Sequence, residues 1–303
     1  MSSELTKRIL FGVIAAPVAI AVLVFGGWPL AALIAVASAI GAWELFRIAR
    51  ASGAAPLDNI GIAAAGITPL IVHSAYLGLY KPERLGPTSI AAVFILFLLA
   101  VAIWARGVTG KPLSSVAITA FGVAYTGGML SFGYALRYHP YGFAPATLTF
   151  GTKQIEVPSG GLLLLLPVLV TWASDIGAYA VGRAIGKNKL IPSVSPGKTI
   201  EGAIGGLLGS MLVAWAYTRF LMQPTAHLGF KYPPAGVLFF GALISVAAQI
   251  GDLVESLLKR EAGVKDSSQL LPGHGGILDR FDSLLFVLPI SYVVLTSMLT
   301  YAP

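Results

Sequence analysis

Cysteine is absent from the 303 residues, which excludes disulfides, thiolate metal sites and cysteine nucleophiles together. Charge is scarce as well. Asp, Glu, Lys and Arg make up 11% of the chain, against roughly 25% in soluble domains. So little polarity cannot cover a water-soluble protein of this length. Acidic residues are the scarcer sign, 13 against 20 basic, which leaves a formal charge of +7. The basic residues are not gathered into one arm, as a nucleic-acid-binding tail would have them. They fall between apolar blocks, which suits anionic headgroups or a phosphorylated ligand and leaves no nucleic-acid partner expected. A soluble domain, a low-complexity linker and an internal repeat are also missing.

What the chain has in excess is apolar sequence, 56% of it, in blocks long enough to cross ~30 Å of hydrocarbon at about 20 residues per helix. Nine such blocks are expected to be helices: roughly 8–26, 29–50, 60–80, 88–106, 114–137, 160–184, 200–222, 234–259 and 277–301. The fold class is therefore all-α, a polytopic integral membrane bundle. Lys7 and Arg8 before the first run resemble the start of a signal peptide. A second membrane block follows without a small-residue cleavage site, so the run reads as a retained helix. Clusters such as "KPERLGP" at 81–87 and "TGKP" at 109–112 separate the blocks. The chain reads as amino-terminal helices over 1–140 and a carboxy-terminal catalytic region over 160–303, within one membrane-embedded unit. The connector 138–159, with "TLTFGTKQIEVPSG", suits either a short hairpin or a cap on the bundle. With a cytoplasmic amino terminus, 14 of the 20 basic residues fall on cytoplasmic ends, the bias expected of the inner side.

Two loops on that basic side are too rich in Gly, Lys and hydroxyl residues for plain connectors: "GRAIGKNKLIPSVSPGKTIEG" (182–202) and "KREAGVKDSSQLLPGHGG" (259–276). Helices bearing carboxylates flank both. Asp175, in "TWASDIGAY", is an acid inside an apolar helix and needs a partner, a cation or a watery cavity. An interhelical hydrogen bond is its plainer explanation. "QIGDLVES" sets Gln249, Asp252 and Glu255 at steps of three, a polar stripe on one helix face. Glu255 can pair with Lys259 at i, i+4, which explains Glu255 but not Asp252.

Asp279 and Asp282, again three apart, open the last apolar block. With Asp252 they offer hard oxygen ligands of the kind Mg²⁺ takes, one or two carboxylates completed by water and phosphate. Capping of the helix N-terminus is the alternative for Asp279. Gly273, Gly275 and Gly276 would let backbone N–H groups approach an anion. "SPGKTIEG" ends like a P-loop, but Pro192 stands where that pattern requires glycine. Ser195, Lys198 and Thr199 nevertheless open a helix, where phosphate binds well, although a solvated basic loop is the plainer reading. Carboxylate-bound metal, basic loops and a membrane setting together point to phosphoryl or nucleotidyl transfer to a lipid.

The 27 residues from Ser256 to Asp282, "SLLKREAGVKDSSQLLPGHGGILDRFD", resemble the signature of the phosphatidate cytidylyltransferases, or CDP-diacylglycerol synthases. Ser256, Lys259, Arg260, Lys265, Asp266, His274, Gly275, Gly276, Asp279, Arg280 and Asp282 fill its fixed positions. The resemblance covers about 160–300, and the amino-terminal half matches only as hydrophobic helices. In "SPGKTIEG" the family often has a second lysine and an aromatic where Gly197 and Ile200 stand.

The resemblance implies that CTP and phosphatidic acid give CDP-diacylglycerol and pyrophosphate, with Mg²⁺ and a monovalent cation such as K⁺ as cofactors. It implies metal binding by Asp252, Asp279 and Asp282, with Asp175 as a further ligand or orienter. Lys198, Lys259, Arg260, Lys265 and Arg280 become candidates for triphosphate or lipid phosphate, and His274 for orienting a phosphate or carrying its proton. Ser195, Thr199, Gly275 and Gly276 join the substrate-binding set. Expected partners are CTP, phosphatidic acid and the surrounding lipids, with a homodimer as the candidate assembly. The expected location is the plasma membrane, with the site on its cytoplasmic face. A CTP-dependent lipid-alcohol kinase and an ion-coupled transporter are the rival readings.

Overall fold

The computed structural model describes residues 17–79, 86–142, 145–150, 152–270 and 275–301. Helix dominates. The long helices are α1 (Gly27–Ala51), α2 (Asp58–Tyr76), α3 (Pro87–Ala105), α4 (Pro112–Gly122) and α5 (Met129–Arg137), the last two joined through a π-helical turn, Val123–Gly128. They continue with α6 (Ser159–Ile185), α7 (Ile200–Tyr217), a π-helical turn at Thr218–Met222, the short α8 (Gln223–Ala226), α9 (Ala235–Glu261) and α10 (Leu278–Met298). Residues 17–25 are helical too, so each of the nine expected blocks is helical over most of its described part, the last ending in a short strand at 299–301. Among the described residues, seven helices are long and apolar enough to cross a membrane. α2 falls outside those seven, and the first block is described only from residue 17. The protein is a multi-pass, all-helical membrane protein.

The helix starts follow from sequence. Pro87 and Pro112 each stand in the first turn of a helix, where a missing N–H costs nothing. Polar side chains inside the apolar helices fold back on their own backbone: Thr119, Thr126, Ser131 and Thr171 each donate to the carbonyl four residues earlier. That keeps hydroxyls satisfied where water is scarce. Large side chains including Leu96, Phe97, Trp104, Leu208, Leu212 and Phe220 are exposed, as lipid-facing positions require.

Three two-stranded antiparallel sheets decorate the helices: β1 (Pro145–Phe150) with β2 (Lys153–Pro158), β3 (Lys189–Ile191) with β4 (Ser195–Thr199), and β5 (Leu228–Phe230) with β6 (Leu299–Tyr301). The first is the connector, and of its two expected forms it adopts the hairpin, in register from Pro145 opposite Pro158 to Phe150 opposite Lys153.

Packing divides the chain into two compact units that do not follow the linear split at 140–160. One comprises 1–30, 135–256 and 282–303; the other comprises 31–134 and 257–281. In the first, α6 carries the buried run Leu162–Leu166 and crosses α7 through glycine. A methyl group on Gly177 would stand 2.6 Å from the Gly205 carbonyl oxygen, and one on Gly206 2.8 Å from that of Ser174. Small residues let the two backbones touch, the packing that membrane helices use in place of a hydrophobic drive. In the second unit, Phe46 is fully buried with Ala42, Ala65 and Val123 and fills the space left by Gly61 and Gly122. Leu57, Leu98, Ala102 and Val116 form a neighbouring cluster.

Candidate active site

The first unit holds a cavity of about 570 Å³ into which several polar side chains of otherwise apolar helices face. Asp175 and Tyr179 of α6, Lys198 and Thr199 at the end of β4, and Gln249 and Asp252 of α9 line it. The glycine crossing of α6 and α7 sets two of these walls, because it fixes how closely the helix bearing Asp175 can approach the strand-to-helix junction at Thr199. The Lys198 ammonium lies 2.7 Å from Asp252 Oδ2. Asp175 is within electrostatic reach of Asp282 and Asp252, and of Lys198. Gln249 donates to the Ala203 carbonyl at 3.2 Å and to Ser245 Oγ at 3.0 Å, which anchors the stripe one turn from Asp252. Arg183, also on the cavity wall, stacks over the Tyr179 ring and donates to its hydroxyl at 2.6 Å.

The expected helix-opening stretch 195–199 is a strand, and the helix begins one residue later. Thr199 is its N-cap, accepting from the Gly202 N–H at 3.1 Å, so this hydroxyl serves the helix end. Glu201 holds the preceding turn by accepting from the backbone N–H of Lys187 and Asn188. Lys198 and Ser195 therefore sit on a pinned hairpin. Asp282 accepts from its neighbour's N–H, Ser283, at 2.6 Å. Glu255 is fully buried.

The second unit holds most of the signature. Lys259 Nζ lies 2.6 Å from Asp279 Oδ1, and both side chains are largely buried. Asp279 Oδ2 accepts from the Gly276 N–H at 2.7 Å, the Ser267 N–H at 3.1 Å and the Ser267 hydroxyl at 2.8 Å. Both oxygens of this expected metal ligand thus face protein donors, in the manner of the capping alternative. The Gly276 N–H, expected to face an anion, is likewise engaged. The two glycines are required by what stands behind them. Gly275 has φ +78°, and a methyl group there would come 2.7 Å from Asp279 Oδ2. One on Gly276 would run into Ser267 Oγ and Glu44 Oε1. Arg260, Lys265 and Arg280 are exposed. His274 lies outside the described residues.

Sequence reasoning missed Glu44. This fully buried acid of α1 accepts from the Ile277 N–H at 3.0 Å, from the Leu278 N–H at 2.6 Å and from the Ser268 hydroxyl. The Ser267 hydroxyl stands 3.2 Å from it, between Glu44 and Asp279. The signal was present in "GAWELFRIAR": a lone carboxylate in an apolar block, the same oddity that drew attention to Asp175.

In chemical terms, the first unit's cavity offers Asp175 and Asp252 against the Lys198 ammonium, with Asp282 in electrostatic reach of Asp175, a balance open to a cation. The second unit offers a braced, lysine-bearing loop. Comparison with known proteins bears on both. The chain is 32% identical to the phosphatidate cytidylyltransferase of Synechocystis, over 97% of each chain. It is 31% identical to that of Bacillus subtilis, over 96% of this chain and 98% of the relative. The enzyme of the same name from Haemophilus influenzae is 48% identical over 133 residues, 44% of this chain and 45% of the relative. The sequence model of the cytidylyltransferase family matches residues 6–298, so the amino-terminal half, Glu44 included, lies inside the match. The chain belongs to the cytidylyltransferase family.

Proposed function

We propose that this protein is a phosphatidate cytidylyltransferase of a multi-pass membrane setting, converting CTP and phosphatidic acid to CDP-diacylglycerol and pyrophosphate. The observation that carries the reading is the full-length similarity to relatives of that name, joined to a signature in which Lys259, Gly276 and Asp279 are held together. A phosphatidate oxygen forms a bond to the α-phosphorus of CTP, the α–β bridging P–O bond breaks, and pyrophosphate leaves with the electron pair. The attacking phosphate monoester, with a second pKa near ~6, is already ionised at neutral pH, so no strong base is needed. Lys198 is assigned to phosphate binding at the first unit's cavity. Lys259, Arg260, Lys265 and Arg280 are assigned to the triphosphate or the lipid phosphate, and His274 to orienting one of them.

The carboxylates fit Mg²⁺. Asp175 stands in electrostatic reach of Asp252, Asp282 and Lys198, an excess of negative charge that a divalent cation balances. Among the described residues, no three such side chains form a ready metal cluster. Mg²⁺ requires none, since one or two carboxylates with water and substrate phosphate complete its shell. Asp252 and Asp282 would hold it, with Asp175 orienting. When bound, it would neutralise charge on the phosphates. Asp279 as a further ligand would compete with Lys259. A monovalent cation, a homodimer, the plasma membrane and a cytoplasmic site with a cytoplasmic amino terminus complete the proposal.

The test uses purified protein, phosphatidic acid in mixed micelles, Mg²⁺ and CTP labelled at the α- or the γ-phosphorus. The α-label is expected in the lipid and the γ-label in pyrophosphate. Lipid carrying the γ-label without the α-label would establish the lipid kinase instead.

A further inference from the structure

We infer that Glu44 is a positioning residue for catalysis: its buried carboxylate latches two stretches of the signature, 267–268 and 277–278, onto α1 and holds Lys259 and Asp279 in register. This inference rests on the reaction proposed above. The carboxylate is 0% exposed, and the Ser267 and Ser268 side chains that meet it are 1% exposed each. A buried carboxylate is tolerated only where hydrogen bonds replace its water, and here the donors come from one segment. The Leu278 N–H opens α10 and the Ile277 N–H stands one residue before it, so Glu44 caps that helix from another helix and complements its dipole. Ser268 ties the loop's other limb to the same carboxylate, and its hydroxyl also accepts from the Leu270 N–H at 3.1 Å. Ser267 then hands the constraint on, because its hydroxyl lies between Glu44 and Asp279, and Asp279 holds Lys259.

The chain of contacts therefore runs from Glu44 through Ser267 to Asp279 and Lys259 without leaving one compact unit. Gly276 is part of the same device: any side chain there would wedge the loop off the carboxylate. Fixing phosphate-binding groups before the substrate arrives acts on the transition state, so its loss falls on kcat more than on KM.

The test is Glu44→Gln, which keeps the volume but turns an NH₂ toward donors that need an acceptor. Ser268→Ala serves as the milder variant. Amide hydrogen exchange is measured in detergent alongside CMP transfer from CTP to phosphatidic acid. For Glu44→Gln we expect exchange at 276–278 and kcat each to change by about tenfold or more, faster and slower respectively, on the scale of a lost charged hydrogen bond. KM for CTP should stay within about threefold, and exchange in α6 should not change. Ser268→Ala should move both in the same direction by less. Unaltered exchange at 276–278, a uniform rise through all helices, or a loosened loop with normal kcat would each overturn the inference. A wild-type protein that transfers no CMP overturns the assigned reaction and the catalytic half of this inference. The exchange contrast still decides whether Glu44 holds the loop.

Discussion

Asp252→Asn separates a metal-binding carboxylate from one that merely answers a lysine. The pair it forms with Lys198 spans 2.7 Å, but the two side chains are 39% and 24% exposed, Asp252 and Lys198 respectively. Solvent screens such a pair, so its loss should cost the fold under about 1 kcal/mol. The amide keeps the volume and the folded bundle should survive. Catalysis is another matter, because an amide cannot supply the charge that holds a cation against a triphosphate. Losing about 3 kcal/mol of transition-state stabilisation lowers kcat/KM by a little over 100-fold. The assay is CMP transfer across a Mg²⁺ titration, with thermal unfolding in detergent on the same preparation. Asp58→Asn is the control: its pair with Arg50 is comparably exposed, 31% and 42%, and it has no assigned role. We expect a small melting shift in both variants and lost turnover with a raised Mg²⁺ requirement only in Asp252→Asn. Turnover within about threefold of wild type, or a loss that tracks unfolding, would refute the reasoning.

Single cysteines at Lys187 and Lys265, in a chain that has none, should resist impermeant thiol reagents in sealed right-side-out vesicles; ready labelling from outside would reverse the orientation drawn from the basic bias. Arg137 is 4% exposed and donates to the Val24 and Phe25 carbonyls at 3.1 and 2.9 Å. Arg137→Met strands both carbonyls, at about 1.5–3 kcal/mol for such a bond, so the melting temperature should fall clearly; an unchanged melt would show the cage to be dispensable. Burial holds His139 below its ordinary value of 6.5, so the unfolded chain binds the proton more readily than the folded one. Its contribution to stability is therefore intact above that value and is lost as pH falls below it. His139→Gln should flatten the decline in melting temperature between about pH 7 and pH 5, and an equally steep decline in the variant would assign the acid sensitivity elsewhere.

The helices were legible because the physics that makes them is local. A run of about 20 apolar residues has one good solution in hydrocarbon, and proline and glycine mark its ends. The connector was ambiguous for the opposite reason. "TLTF" and "IEV" alternate well enough for strands, but a hairpin and a loose cap expose similar side chains, and only pairing decides between them. The division into two compact units was not legible at all. It runs through α1, α5, α9 and α10, within helices and not at the loops between them, so no turn residue marks where one set of neighbours gives way to another.

Within the site, charge in an apolar context was its own signal, and it found Asp175, Lys198 and Asp252 on the walls of one cavity. Spacing could not go further with Asp279. A carboxylate at a helix start reads equally as cap or ligand, and the choice depends on donors supplied from elsewhere, here Lys259 and Ser267. Gly275 and Gly276 were ambiguous in the same way: small residues admit an approaching anion or an approaching side chain, and what stands behind them is Asp279 and Glu44. Glu44 was the reverse case, a legible residue whose partners were not. Its donors lie more than 220 positions away in sequence, at 267–278, and no periodicity in "GAWELFRIAR" announces them. The oddity of the carboxylate could have been noted from sequence, but its purpose follows only from what the fold brings against it.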